Sequence, residues 1–231
     1  NFFKLLIGNS IYGACYVVTF SLTNITFVLS IQNTNVANTL VMIALAPMLS
    51  AIFGTIFLKE KTDKNTIVAI VVTFISVLYI FFDSMKVGNF LGDFLGFVTA
   101  AGLAAGATII RAGKKVSLVP SAVIGKLVVG VVALFFIDSF ELKNNDIFII
   151  PAMCILCVAI PFVLVTIAPR FITGAEVNLF FLLETILGPI WVWLVIKEQP
   201  SLETIQGGII IIITIAVHSF LAIKKTQLKS N

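Results

Sequence analysis

Glu184 stands nine residues into the apolar stretch Ala175–Ile196. At a rise of 1.5 Å per residue it lies about 14 Å deep, close to the middle of a bilayer if that stretch crosses one. An ionisable group at that depth is costly and must face a partner, water or the interior of a bundle. Phe180, Glu184, Leu187 and Trp191 share one helical face, so the acid is flanked by aromatic rings. Two kinds of role are open to it. One is functional, as a contact for a solute ammonium or as a carrier of a coupling proton; the other is a structural hydrogen bond, in the protonated form, to a neighbouring helix. Lys126 follows the helix start at Pro120-Ser121 and lies about 9 Å in. Its long stem can snorkel to the interface. Alternatively its ammonium can pair with Glu184, since the two helices run the same way and the depths differ by about 5 Å.

A second group lies near the start of the chain. Asn9, Tyr12, Tyr16, Thr19, Thr23, Thr26 and Ser30 recur at alternating steps of three and four, so they occupy one face of a helix that reaches Ser30. Ser and Thr hydroxyls can bond back to the carbonyl four residues earlier. Two tyrosines cannot do so as easily, which favours a cavity wall. The candidate solute contacts are therefore Glu184, Phe180, Trp191, Tyr12, Tyr16, Thr19, Thr23 and Lys126. No catalytic constellation and no metal site is expected. There is one histidine, His218, read as interfacial, with no HExxH pattern and no clustered pair of acids deep in an apolar stretch. Cys15, Cys154 and Cys157 lie inside apolar runs. They read as small packing hydrophobes rather than a redox pair, because a CxxC redox motif wants a βαβ context. No cofactor is implied.

The elements that must position these residues are set by composition. Of 231 residues, 59% are hydrophobic and 11% charged, with a mean hydropathy of +1.13, where a soluble domain carries about 25% charged residues. That excludes a soluble enzyme, a nucleic-acid-binding domain and a disordered tail. Continuous runs such as Ile67–Phe82 and Ile209–Val217 also exclude a β-barrel, whose strands alternate in polarity. The fold class is all-α and polytopic. Eight spans are expected: Phe2–Phe27, Val36–Leu58, Asn65–Phe82, Phe90–Arg111, Ser121–Ile137, Ile147–Phe171, Ala175–Ile196 and Leu202–Ile223. Gly92/Gly96 and Gly102/Gly106 predict close helix packing, and Pro47, Pro161 and Pro189 predict breaks or kinks. Glu60 and Glu198, in connectors, read as capping groups or as partners of nearby lysines. Eleven basic residues fall on one side of the alternating connectors and three on the other, which makes the first side, with both visible termini, cytoplasmic.

The chain repeats itself. An offset of 138 sets Ala37 on Ala175, Lys59 on Lys197, Glu60 on Glu198 and Thr66 on Thr204. The copies begin five helices apart, and an odd repeat inverts in the membrane, as in many secondary transporters whose site lies between the halves. The units are 1–87, holding the last three helices of the first copy, and 88–231, holding five. The offset puts the start of the first copy about 50 residues before Asn1, so a ten-helix parent lacking its first two helices here is expected.

Ala37 to Glu60 and Ala175 to Glu198 share one frame. With Pro169-Arg170-Phe171, Leu183-Glu184-Thr185-Ile186-Leu187-Gly188-Pro189-Ile190-Trp191, Lys197-Glu198-Gln199-Pro200 and Gly207-Gly208, the chain resembles the EamA-type repeat of the drug/metabolite transporter superfamily over nearly its whole length. The resemblance implies two inverted five-helix repeats about a central cavity that carries small organic solutes. The first copy departs from it with Ala46-Pro47 in place of Glu184-Thr185, and its closing helix lacks the glycines of the second.

The leading expectation is a secondary transporter, an exporter or exchanger, of a small metabolite such as an amino acid. No Gly-Lys-Ser/Thr phosphate loop is present, so the chain does not hydrolyse ATP. The alternatives are a lipid-handling or assembly protein with the same fold and, disfavoured by the missing catalytic set, an intramembrane lipid enzyme. Expected partners are a small-molecule solute and membrane lipids, with a homodimer allowed and no nucleic acid. The resemblance and the basic-residue bias point to a bacterial inner membrane, a eukaryotic organelle being the alternative.

Overall fold

In the computed structural model, residues 10–60, 64–113, 118–136, 145–161, 164, 187–188, 190–195, 197 and 199–230 are described. All regular structure among them is helical: α1 (Ser10–Asn33), α2 (Val36–Ile43), α3 (Ala46–Leu58), α4 (Lys64–Val87), α5 (Phe90–Ala112), α6 (Val119–Leu134), α7 (Asp146–Met153) and α8 (Leu202–Ser230). Residues 190–195 are helical as well.

Five of the eight expected spans coincide with helices long and apolar enough to cross a membrane, over Ile11–Asn33, Val36–Leu58, Lys64–Asp83, Phe90–Ala112 and Leu202–Leu221. The first helix runs to Asn33 rather than ending at Phe27, which carries the polar stripe through Ser30. The span expected at Ser121–Ile137 is shorter. Helix α6 stops at Leu134 after 16 residues, about 24 Å against a hydrocarbon core of about 30 Å. The span beginning at Ile147 is a composite. Pro151 sits inside α7, which passes directly into a π-helical turn, Cys154–Ala159. Of the span 175–196 only residues 187–188 and 190–195 are described.

Pro47 accounts for the gap between α2 and α3. It has no N–H to return to the Ile43 carbonyl. The chain tightens there, with Leu45 N–H bonded to the Met42 carbonyl at 3.1 Å, and restarts as Leu49 N–H reaches the Leu45 carbonyl at 3.0 Å. At the far end of α3, Lys59 adopts a left-handed φ of 54° and Glu60 N–H returns to the Gly54 carbonyl. Lys197 has φ 62°, and these two are the non-glycine residues with positive φ among the described residues.

The buried centre is formed where α2, α4, α5 and α8 meet, with Met42, Val77, Ile80, Ala100 and Ile211 almost wholly enclosed. Elsewhere the flanks are apolar and exposed, as at Phe74, Ile75, Leu127, Phe148 and Ile213, a distribution suited to lipid rather than water. Helices α4 and α8 pack against each other. Thr66 meets His218 Nε2 at 2.9 Å, and the Tyr79 hydroxyl donates to Gln206 Oε1 at 2.9 Å. Residue numbers that rise along α4 therefore fall along α8, so the two helices are antiparallel.

Candidate functional site

The polar stripe of α1 and the small residues of α5 form one antiparallel seam. Thr34 lies at Gly92, Ser30 at Gly96, Thr23 at Gly102, Tyr16 at Gly106 and Tyr12 at Gly113. A methyl group at Gly92 would strike the backbone of Asn33 and Thr34, and one at Gly102 would run into the Thr23 side chain. Small residues on one helix thus let the other approach to backbone distance, and the hydroxyls complete the joint. Thr23 bonds back to the Thr19 carbonyl at 2.7 Å, Thr26 meets Thr99 Oγ1 at 2.9 Å, and Ser30 donates to the Gly92 carbonyl at 2.7 Å while meeting Thr39 Oγ1 at 2.7 Å. The stripe grades from Tyr12, 43% exposed, to Ser30, fully buried. Its lower half, Thr23 to Ser30, is packed against α5 rather than open to a cavity. Tyr16 is half-buried and stacks on Phe20 with ring centroids 5.7 Å apart.

At the Ser30 end the seam closes on Asp93, which has no exposed surface. Thr34 Oγ1 donates to Asp93 Oδ1 at 2.5 Å, and Asn38 Nδ2 lies 3.2 Å from both carboxylate oxygens. Asn38 also accepts, at Oδ1, the Thr204 hydroxyl at 2.7 Å. Ser201, preceding α8, meets Thr204 Oγ1 at 2.9 Å and accepts the Thr204 N–H at 3.2 Å. A chain of polar groups therefore runs from the first turn of α5 through α2 to the first turn of α8. The sequence offered one signal for it, an acid three residues into an apolar helix, but an acid in a first turn equally complements the helix dipole.

Thr204 is also part of a cavity wall. Between α2, residues 190–195 and α8 lies a partly open cavity of about 500 Å³, bordered by Ala37, Val41, Ile190, Trp193, Gln199, Thr204 and Gly208. Its lining among the described residues is apolar apart from Trp193, Gln199 and Thr204 and carries no charge.

The opposite end of the bundle holds an ion pair. Arg111 donates to Glu60 Oε2 at 2.9 Å and to the Ser50 carbonyl and hydroxyl at 2.9 and 3.0 Å, joining α3 to the end of α5. Glu60 is therefore partnered by an arginine of another helix.

Of the residues singled out from sequence, Glu184 and Phe180 lie outside the described residues, as does Asn9. Lys126 is exposed, with Nζ donating to Asn24 Oδ1 at 3.0 Å and standing 5.4 Å from the centre of the Phe20 ring. Trp191 is 60% exposed, and it is Trp193, two residues on, that borders the cavity. Cys15, Cys154 and Cys157 are free and exposed on the flanks rather than packed inside.

Long apolar helices, exposed apolar flanks and polar groups drawn into seams and ends define a multi-pass helical membrane protein. The model of the EamA-like transporter family matches residues 4–82 and 90–220, and the chain belongs to that family, which makes it a membrane transporter of the drug/metabolite superfamily. Among curated proteins and solved structures nothing matches.

Proposed function

We propose that the protein is a secondary active transporter of a small organic solute such as an amino acid, an exporter or exchanger, working by alternating access between two halves of opposite orientation. It is not an enzyme on this reading. One observation carries the proposal. Lys59 and Lys197, 138 residues apart, share the left-handed turn, and the helices that follow them, α4 and α8, lie antiparallel through Thr66–His218 and Tyr79–Gln206. Equivalent helices packed head to tail are what an inverted repeat produces, and such repeats hold their solute at the interface between them. Favouring this further, the cavity at Thr204 is bordered by α2 on one side and by residues 190–195 and α8 on the other.

Glu184 is proposed as the solute-facing or proton-carrying acid, with Phe180 and Trp191 on its helical face. Tyr12 of α1 and Lys126 of α6 keep exposed side chains able to meet a solute, with Tyr16 and Thr19 further along α1 and Thr23 held in the seam. The bacterial inner membrane is the proposed setting, from the family likeness together with the basic-residue distribution, which also puts both visible termini on the cytoplasmic side.

The test is flux of a metabolite panel, uptake and efflux, in proteoliposomes of the purified protein. Saturable, gradient-driven movement of at least one solute is expected, lost in Glu184→Gln with the protein still monodisperse. Lipid scrambling or turnover with no solute flux would replace the transporter by a lipid-handling protein.

A further inference from the structure

We infer that Lys126 anchors the carboxylate of the transported solute and that Asn24 positions it for that task. The assignment rests on the transporter reading and deepens it: with Glu184 proposed for a solute ammonium, the other end of an amino acid needs a cation. Lys126 stands in the middle of α6, seven residues from Val119 and eight from Leu134, about 10 and 12 Å from the two ends. A charge at such depth is costly and is retained where it meets a partner, a ligand or water. Helices α1 and α6 run parallel, since the contacts Gly13–Ser121, Ser21–Gly125 and Asn24–Lys126 rise together in number. The ammonium is held at the level of Phe20 and Asn24. The start of α6 is level with Gly13, about 10 Å back along α1. Lys126 therefore does not snorkel to the interface at which α6 begins.

Three contacts build its place. Gly125, next to Lys126 in the chain, lets α6 close on Phe20, and its carbonyl accepts the Ser21 hydroxyl at 3.1 Å, which pins the backbone. Asn24 Nδ2 donates to the Phe20 carbonyl at 2.7 Å. That bond turns the other end of the amide, Oδ1, toward Lys126 Nζ, which donates to it at 3.0 Å. Phe20, stacked on Tyr16, has its ring centre 5.4 Å from the ammonium, within cation–π range. Asn24 and Phe20 are both uncharged, so they orient the cation without neutralising it. An ammonium carries three N–H donors. Asn24 takes one, and a carboxylate can take another in a charge-assisted bond. One ammonium balances one negative charge, which suits a carboxylate better than a phosphate carrying close to two.

The test is thermal unfolding of the purified protein in dodecyl maltoside with L-leucine, L-phenylalanine and L-threonine, each beside its primary amide. A ligand of the folded state raises the unfolding temperature. Saturable stabilisation by at least one amino acid is expected, with its amide binding about tenfold more weakly or worse, as a charge-assisted hydrogen bond is lost. Lys126→Met should remove this preference for acid over amide, and Lys126→Arg should keep it. Asn24→Asp separates positioning from structure. It preserves the acceptor for Nζ, so the unliganded protein should unfold no earlier, as a purely structural bond would also require. Its charge neutralises the ammonium and repels a carboxylate, so the preference should vanish. Wild-type binding of the amino acid by Asn24→Asp overturns the positioning role. Equal binding of acid and amide, a preference that survives Lys126→Met, or stabilisation by none of the three amino acids overturns the anchor. Stabilisation by phosphatidylglycerol that Lys126→Met abolishes, with none by the amino acids, gives the ammonium to a lipid headgroup and overturns it too. Binding is read without flux, so the two readings fail separately. Acid-selective binding through Lys126 with no flux of any solute keeps the anchor and loses the transporter, and flux unchanged in Lys126→Met does the reverse.

Discussion

Asp93 joins three segments of chain that lie far apart in sequence, and its surroundings show how one acid is kept inside an apolar bundle. Its oxygens accept from Thr34 and from Asn38. Among the described residues no buried side-chain nitrogen or oxygen lacks a partner, as the cost of an unpaired polar group in an apolar interior demands. Asp93→Ala would take away the acceptor of the Thr34 hydroxyl and leave the Asn38 amide only its longer contact with Thr34 Oγ1, at 3.4 Å, at about 1–3 kcal/mol for each group affected. Asp93→Asn retains a carbonyl oxygen and should lose less. Unfolding of the purified protein in detergent, followed by titration with SDS, should place the variants in the order wild type, Asn, Ala. At this scale the sequence was informative about residue type and silent about pairing. The recurrence of Tyr12, Tyr16, Thr19, Thr23, Thr26 and Ser30 at helical steps marked a functional or structural face, but periodicity does not say what lies opposite. A wall of hydroxyls reads the same whether it faces water or a row of glycines. Lys126 is similar: its depth suggested Glu184, which lies outside the described residues, and among the described residues its side chain reaches Asn24 of α1.

Among the elements, the α1–α5 seam is the most exacting. Gly102 and Gly130 are both helical glycines, yet their surroundings differ, since Gly102 abuts Thr23 and no described residue lies within 4 Å of a Cβ at Gly130. Gly102→Val should force α1 away and unfold or destabilise the protein by several kcal/mol, as overpacking of a close contact does. Gly130→Ala should be neutral or stabilising by about 0.5–1 kcal/mol, through the helix propensity of alanine. Thermal unfolding of the two variants side by side checks the contrast. The five spans of membrane length were legible because an uninterrupted apolar run has few other uses. The weaker elements were not. Leu134 ends α6 before the apolar run ends at Ile137, and the π-helical turn after Pro151 leaves no mark on hydropathy. Pro47 announced a break, and the two-residue gap at Ala44-Leu45 is where the missing N–H puts it.

For the whole molecule, the repeat is the feature with the longest reach. Two lysines 138 residues apart adopt the same unusual backbone conformation. A β-carbon resists that conformation at both sites. Two oppositely oriented halves require these turns to lie on opposite sides of the membrane. In a background free of Cys15, Cys154 and Cys157, Lys59→Cys and Lys197→Cys should be labelled by an impermeant maleimide from opposite faces of oriented vesicles. Labelling of both from one face would end the two-halves account, whatever the protein carries. The repeat was visible in the sequence because it is a matter of spacing; the cavity beside Thr204 was not, because its wall joins α2 to residues 190–195 and α8, which lie about 150 positions or more further along the chain.

The glycine joint between α1 and α5 also decides what such a protein can bend. Helices that mesh at Gly92, Gly96 and Gly102 cannot slide without colliding there, so this pair travels as one stiff beam. The elbow at Ala44-Leu45 is held differently, by burial in the apolar centre rather than by a glycine seam. It divides one membrane crossing into a limb tied to Asp93 through Asn38 and a limb tied to Arg111 through Ser50, so that flexing it would loosen one end of the bundle while the other stays clasped.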